Sequence, residues 1–181
     1  MPIPGQLPWG PPGELKQAES SPTGMPMIRL VAVGVDGSVQ SEQAFTWAAD
    51  LAKLTSSSLT IVAVIPVHRA NPAQASSPLV ASVEDRRAMN ELLSRLSKIA
   101  RGLGVEVVDT LVLEGSAVDR LLDVADERAP DLLVLGARGI SATRRLLLGS
   151  VSDGVLHHAS CSVLVVRPPS PKATGRPKAK S

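Results

Sequence analysis

The sequence predicts an α/β domain: an open five-stranded parallel sheet covered by helices on both faces. Three observations carry this reading. Five short apolar runs alternate with four stretches of helical periodicity along residues 29–166. The runs are apolar throughout rather than alternating, as strands buried on both faces require. Residues 27–166 hold only four of the 15 prolines, so the regular structure and the composition mark out the same stretch. Strands joined through helices run parallel with right-handed crossovers, which puts helices on both sides.

Residues 1–27 (MPIPGQLPWGPPGELKQAESSPTGMPM) mix Pro, Gly and polar residues without apolar periodicity and read as a disordered extension. The first strand is 29–35 (RLVAVGV). A helix over 38–54 follows, with Phe45, Ala48, Ala49, Leu51 and Ala52 near helical spacing and Ser38 or Ser41 available as its cap. The second strand, 59–65 (LTIVAVI), stops at Pro66, and 67–80 reads as a loop. A long helix spans 82–102, its stripe formed by Met89, Leu92, Leu93, Leu96, Ala100 and Leu103. The third strand is 105–113 (VEVVDTLVL). Ser116 with Asp119 three residues on makes a capping-box arrangement that opens a helix to about Arg128, which Pro130 ends. The fourth strand is 131–136 (DLLVLG), followed by a loop, a short helix at 150–159 and the fifth strand, 162–166 (SVLVV). Residues 168–181 read as a basic, Pro-rich disordered tail.

The charge distribution excludes some function classes. The chain is net +2, yet residues 167–181 carry five basic side chains and no acid, while 27–166 is net −2. The basic sequence pI of about 9.0 therefore belongs to the tail and does not mark a nucleic-acid-binding domain. With only Phe45 and Trp47 as aromatics after the extension, base-stacking platforms are excluded too. One cysteine, Cys161, rules out an internal disulfide and favours a reducing compartment. No apolar run is long enough to span a membrane and no signal peptide is visible, so a cytoplasmic location is expected.

In parallel α/β sheets the ligand crevice lies beyond the carboxyl ends of the strands, at the switch in strand order. After the fourth strand stand Gly136-Ala-Arg-Gly139, nine further residues, then Gly149-Ser150 opening a helix. Glycines three apart permit a tight turn and a close backbone approach to a ligand. A Gly-Ser helix start offers unpaired N–H groups, a hydroxyl and the positive dipole end, all suited to phosphate. Arg138, Arg144 and Arg145 add positive charge. The same glycines could also serve only to end a strand and begin a helix. Asp36, at the carboxyl end of the first strand, could meet ribose hydroxyls or a base amine, or could simply belong to an Asp-Gly-Ser turn. The P-loop, G-x-G-x-x-G, H-E-x-x-H and paired C-x-x-C patterns are absent.

Taken together and in order, these pieces resemble the universal stress protein family over residues 28–167. The family's G-x2-G-x9-G-[ST] motif matches Gly136, Gly139, Gly149 and Ser150 without a gap. V-G-V-D-G-S at 33–38, LTIVAV at 59–64, DLLVLG at 131–136 and CSVLVV at 161–166 are similar to its first, second, fourth and last strands. The resemblance implies an adenine-nucleotide alpha hydrolase-like fold with strand order 3-2-1-4-5, and an ATP-binding subclass. Carried over by motif position, Gly34, Val35 and Asp36 line the ribose and adenine end, and the backbone at Val64 contacts adenine. Gly136, Arg138 and Gly139 wrap the ribose and first phosphates, and Gly149, Ser150, Val151 and Ser152 hold the outer ones. The resemblance also implies a homodimer through the last strand (Val163, Leu164, Val165 and Val166). Two positions depart from the family: Ser162 stands where proline usually follows the cysteine, and Ala63 where histidine is common in the second strand.

The expected function is that of a nucleotide-dependent regulator in the stress response, with ATP, with or without Mg²⁺, as its ligand. Slow ATP hydrolysis, cAMP binding and a protein-interaction module working through the tails are the alternatives. The remaining polar residues take plainer readings. Cys161 is expected to fill space, and His157 and His158 to favour a helix C-terminus. Asp119 and Asp123 are expected on a solvated face, and the basic tail in solvent. His68 is left open.

Overall fold

The computed structural model describes residues 27–70, 79–139 and 148–167. The expectations of disordered ends at 1–26 and 168–181, and Arg144 and Arg145, lie outside the described residues. The elements are β1 (Leu30–Val35), α1 (Val39–Thr55), β2 (Ser58–Ile65), β3 (Val67–Arg69), β4 (Leu79–Ala81), α2 (Val83–Leu103), β5 (Val108–Glu114), α3 (Ala117–Arg128), β6 (Leu132–Gly136), α4 (Ser150–His158) and β7 (Ser162–Val166). The main sheet has the order β5-β2-β1-β6-β7, and every neighbouring pair in it is parallel. This is the expected 3-2-1-4-5 pattern, with two additional short strands entering the count. The chain moves outward from β1 through β2 to β5, then returns to the other side of β1 for β6 and β7. The order therefore reverses between β1 and β6, where a crevice opens.

Alternation along β1 builds both layers. Val31, Val33 and Val35 join Phe45, Ala48, Leu93 and Leu96 in the core beneath α1 and α2. Ala32 joins Val62, Leu121, Leu133, Leu135 and Val155 beneath α3 and α4. Phe45 is buried, whereas Trp47 on the same helix is exposed. Two helices start on caps that the sequence predicts, Ser38 and Ser116, and a third starts on Ser82. Ser38, Ser82 and Ser116 each accept a hydrogen bond from the N–H three residues on, at 3.2, 3.1 and 3.5 Å. At the end of α4, His157 Nδ1 and His158 Nδ1 each lie 2.8 Å from the carbonyl four residues back. Among the described residues, no helix is long and apolar enough to cross a membrane.

Two boundaries differ from the sequence reading. The expected loop at 67–80 contains an antiparallel ribbon, in which Val67, His68 and Arg69 pair with Ala81, Val80 and Leu79. Strands of three residues are too short to carry a period. The third strand of the sheet begins at Val108 rather than 105. Val105 is instead the apolar residue that closes α2. Gly104 adopts a φ of 99°, and the N–H groups of Gly104 and Val105 bond to the carbonyls of Arg101 and Ala100 at 3.0 and 3.1 Å.

Candidate functional site

A cleft of about 460 Å³ opens at the carboxyl ends of β1, β2 and β6. All eleven residues singled out from the sequence line it: Gly34, Val35 and Asp36; Val64; Gly136, Arg138 and Gly139; and Gly149, Ser150, Val151 and Ser152. They come from three strand ends and one helix start that the chain separates by more than a hundred residues.

The turn after β1 positions Asp36. Gly37 takes a φ of 82°, which favours glycine, and lets the chain double back into α1. Asp36 Oδ1 accepts from the Ser38 N–H at 3.0 Å, and the Asp36 N–H donates to Ser41 Oγ at 3.3 Å. The Ser41 hydroxyl in turn donates to the Ser38 carbonyl at 2.9 Å. Across the cleft, a Cβ on Gly139 would lie 2.5 Å from Asp36 Oδ2, so a side chain there would have to push this carboxylate aside.

Three hydrogen bonds fix the end of β6. The Ala137 N–H donates to the Val166 carbonyl at 2.8 Å, and the Gly149 N–H to the Ala137 carbonyl at 2.7 Å. The buried Ser152 hydroxyl donates to the Gly136 carbonyl at 2.6 Å. Ser152 thus spends its side-chain donor on the protein and offers the cleft only its backbone. The first intrahelical bond of α4 runs from the Asp153 N–H to the Gly149 carbonyl, 2.9 Å. The N–H groups of Ser150, Val151 and Ser152 precede it and have no intrahelical acceptor. Arg138, half-buried beside them, makes no ion pair among the described residues. Helix N–H groups, the dipole and a guanidinium therefore converge at one end of the cleft, which is an anion-binding arrangement.

Gly136 resolves a choice that the sequence left open. A Cβ there would sit 2.8 Å from both the C and O of Gln40 and 3.1 Å from the Ser41 nitrogen. The glycine is needed so that the first turn of α1 can lie against β6, before any ligand is considered.

The other end of the cleft is mostly apolar, with Val62, Val64, Pro66, Leu121 and Leu135 in its walls. α2 contributes Met89 and Asp85, which the sequence reading did not pick out. They lie far along the chain from the glycine motif, and their four-residue spacing is ordinary for any helix face. His68 is exposed in the ribbon and is not among the lining residues. Among the described residues, no group of three or more His, Cys, Asp or Glu side chains could hold a metal ion. Cys161 lies half-buried at the start of β7, beyond the opposite end of the sheet, and burial raises its thiol pKa. That makes it a poor nucleophile, in keeping with a packing role.

The universal stress protein family model matches residues 27–167. The chain belongs to the universal stress protein family. A putative universal stress protein of Staphylococcus haemolyticus is 34% identical over 138 residues, covering 76% of this chain and 83% of that protein. Among solved structures, the universal stress protein UspA of Lactobacillus plantarum superposes with a TM-score of 0.69 at 24% identity, covering 77% of this chain and 98% of that one. A universal stress protein solved in complex with cAMP has a TM-score of 0.62 at 27% identity, covering 77% and 97%.

Proposed function

We propose that this universal stress protein binds ATP in the cleft and acts as a nucleotide-dependent regulator. The observation that carries the reading is the convergence of Arg138 and the N–H groups of Ser150, Val151 and Ser152 at one end of a cleft whose other end is apolar. Phosphates occupy the first end. Gly136, Arg138 and Gly139 follow the ribose and the first phosphate, and Gly149, Ser150, Val151 and Ser152 hold the outer ones. Asp36 meets the ribose, flanked by Gly34 and Val35, and the base lies along the β2 end at Val64. The cAMP complex of a relative at 27% identity supports an adenine nucleotide in this family's cleft. A row of three helix N–H donors beside an arginine exceeds what one cyclic phosphate uses, and this favours ATP over cAMP. Mg²⁺, where present, enters on the phosphates.

Calorimetry with ATP and cAMP tests the reading, using Ser150→Pro as the variant. Proline is accepted at the first position of a helix, and Gly149 already has the extended φ of −76° and ψ of 153° that a residue before proline takes. The substitution removes one N–H and one hydroxyl from the phosphate end while leaving the helix in place. Loss of one charge-assisted hydrogen bond weakens ATP by about ten- to a hundredfold. ATP binding of equal strength in both proteins, or none in the wild type, overturns the assignment, and cAMP binding tighter than ATP replaces the ligand.

The reading includes a homodimer through β7. Among the described residues both sheet edges are open, and they differ. On β5, Asp109 pairs with Arg128 and Glu114 with Arg86, so the edge carries charge. β7 (SVLVV) has no charged residue, and an uncharged apolar edge is stable in water only when paired.

A further inference from the structure

We propose that Asp85 selects the base, accepting a hydrogen bond from the exocyclic 6-amino group of adenine and disfavouring purines that carry a 6-oxo group. This rests on the nucleotide reading above and adds a specificity residue to it. α2 packs on β2 and β5, whereas Arg138 follows β6 and α4 packs beside β7. Two strand spacings, about 10 Å, separate β2 from β6. A nucleotide with its phosphates at α4 therefore extends its base toward β2 and α2.

There the cleft is lined by Val64 and Pro66 from the β2 end, and by Asp85 and Met89 from one face of α2. Met89 is half-buried and supplies an apolar surface, while Asp85 is exposed at the rim. The polar groups around Asp85 are already engaged. Glu84 accepts from the Ser82 hydroxyl at 3.0 Å, and Arg86 pairs with Glu114. The Asp85 N–H is taken by Ser82 Oγ at 3.1 Å. The Asp85 carboxylate has no hydrogen-bond or ion-pair partner among the described residues. It is an acceptor-only group facing the base end of the cleft. An amine at position 6 satisfies it, whereas a carbonyl oxygen there sets acceptor against acceptor. The cleft is thus polarised, with carboxylate at the base end and cationic donors at the phosphate end, and this also fixes which way round the ligand enters.

The test compares ATP with ITP, which carries oxo for amino at position 6 and with it a proton on N1, on the full chain and on Asp85→Asn. Asparagine is nearly isosteric and offers both a donor and an acceptor. The wild type is expected to prefer ATP by about tenfold or more, and the variant to bind the two within about threefold, with its unfolding temperature unchanged. A purely structural role for Asp85 would weaken both nucleotides equally and leave the ratio intact. An unchanged ratio in the variant, or a wild type indifferent to the two nucleotides, overturns the inference while leaving the binding site standing. Binding of neither nucleotide by the wild type overturns the site and this inference together.

Discussion

Replacing Gly136 by alanine is expected to destabilise the protein without any ligand present. The added Cβ would lie 2.8 Å from Gln40 C and O and 3.1 Å from Ser41 N. Carbon contacts settle at about 3.5–4.0 Å, so the first turn of α1 must retreat by roughly 0.7 Å or more. That turn cannot move alone. Ser41 bonds both to the Ser38 carbonyl and to the Asp36 N–H, and Ser38 caps the helix through the Ser41 N–H. The obstructing atoms are backbone, so rotamer changes give no relief. Overpacking of this kind costs about 1–3 kcal/mol, and the rigid neighbour puts this case near the upper end. For a domain of this size each kcal/mol lowers the unfolding temperature by about 3 °C, so a fall of roughly 6–9 °C is expected. Thermal unfolding followed by far-UV circular dichroism in nucleotide-free buffer measures it. Gly102→Ala is the internal control: nothing lies within 4 Å of its added Cβ, and it sits inside α2. In the last turn of the helix that change is expected to stabilise by no more than about 0.5–1 kcal/mol, the interior preference of alanine over glycine. If Gly136→Ala unfolds within about 1 °C of the wild type, the steric argument is wrong and the glycine is there for the ligand alone.

Two further outcomes follow from the same structure. The Arg29 N–H and then the Leu30 N–H donate to Asp131 Oδ2 at 2.7 and 3.0 Å, and they hold its carboxyl below the usual aspartate range. A depressed folded-state pKa adds stability above the unfolded value of about 3.9 and loses it as pH falls through the folded value. The stability difference between wild type and Asp131→Asn, from urea unfolding, should therefore be constant above about pH 5 and shrink toward pH 2; a difference independent of pH would refute this. For the β7 edge, sedimentation velocity of the full chain at micromolar concentration is expected to give a dimer, and a monomer under those conditions would remove that part of the proposal.

How much could be read in advance depended on the range of the interaction concerned. The strands of the main sheet were legible because doubly buried parallel strands leave unbroken apolar runs, as in 59–65 and 131–136. Helix starts were legible at Ser38 and Ser116 because capping is a local bond over three residues. The β3–β4 ribbon was not, since its three pairs join residues ten to fourteen apart through runs too short to show a period. Val105 reads as strand by composition, yet it serves as the apolar stop of the preceding helix, a role set by the left-handed Gly104.

The site divides in the same way. The glycine spacing at 136, 139 and 149 was visible because it lies within fourteen residues of one stretch of chain. By itself the sequence determined the fold class and the glycine spacing, both recorded in local pattern, while the strand order came from the family resemblance. Only the tertiary structure decided that Gly136 is demanded by α1, that the Ser152 hydroxyl is spent on the Gly136 carbonyl, and that Asp85 and Met89 line the same cleft as the glycine motif. Those facts depend on which distant backbones come within 3 Å of one another, and close packing, unlike periodicity, leaves no trace in the order of residues along a single chain.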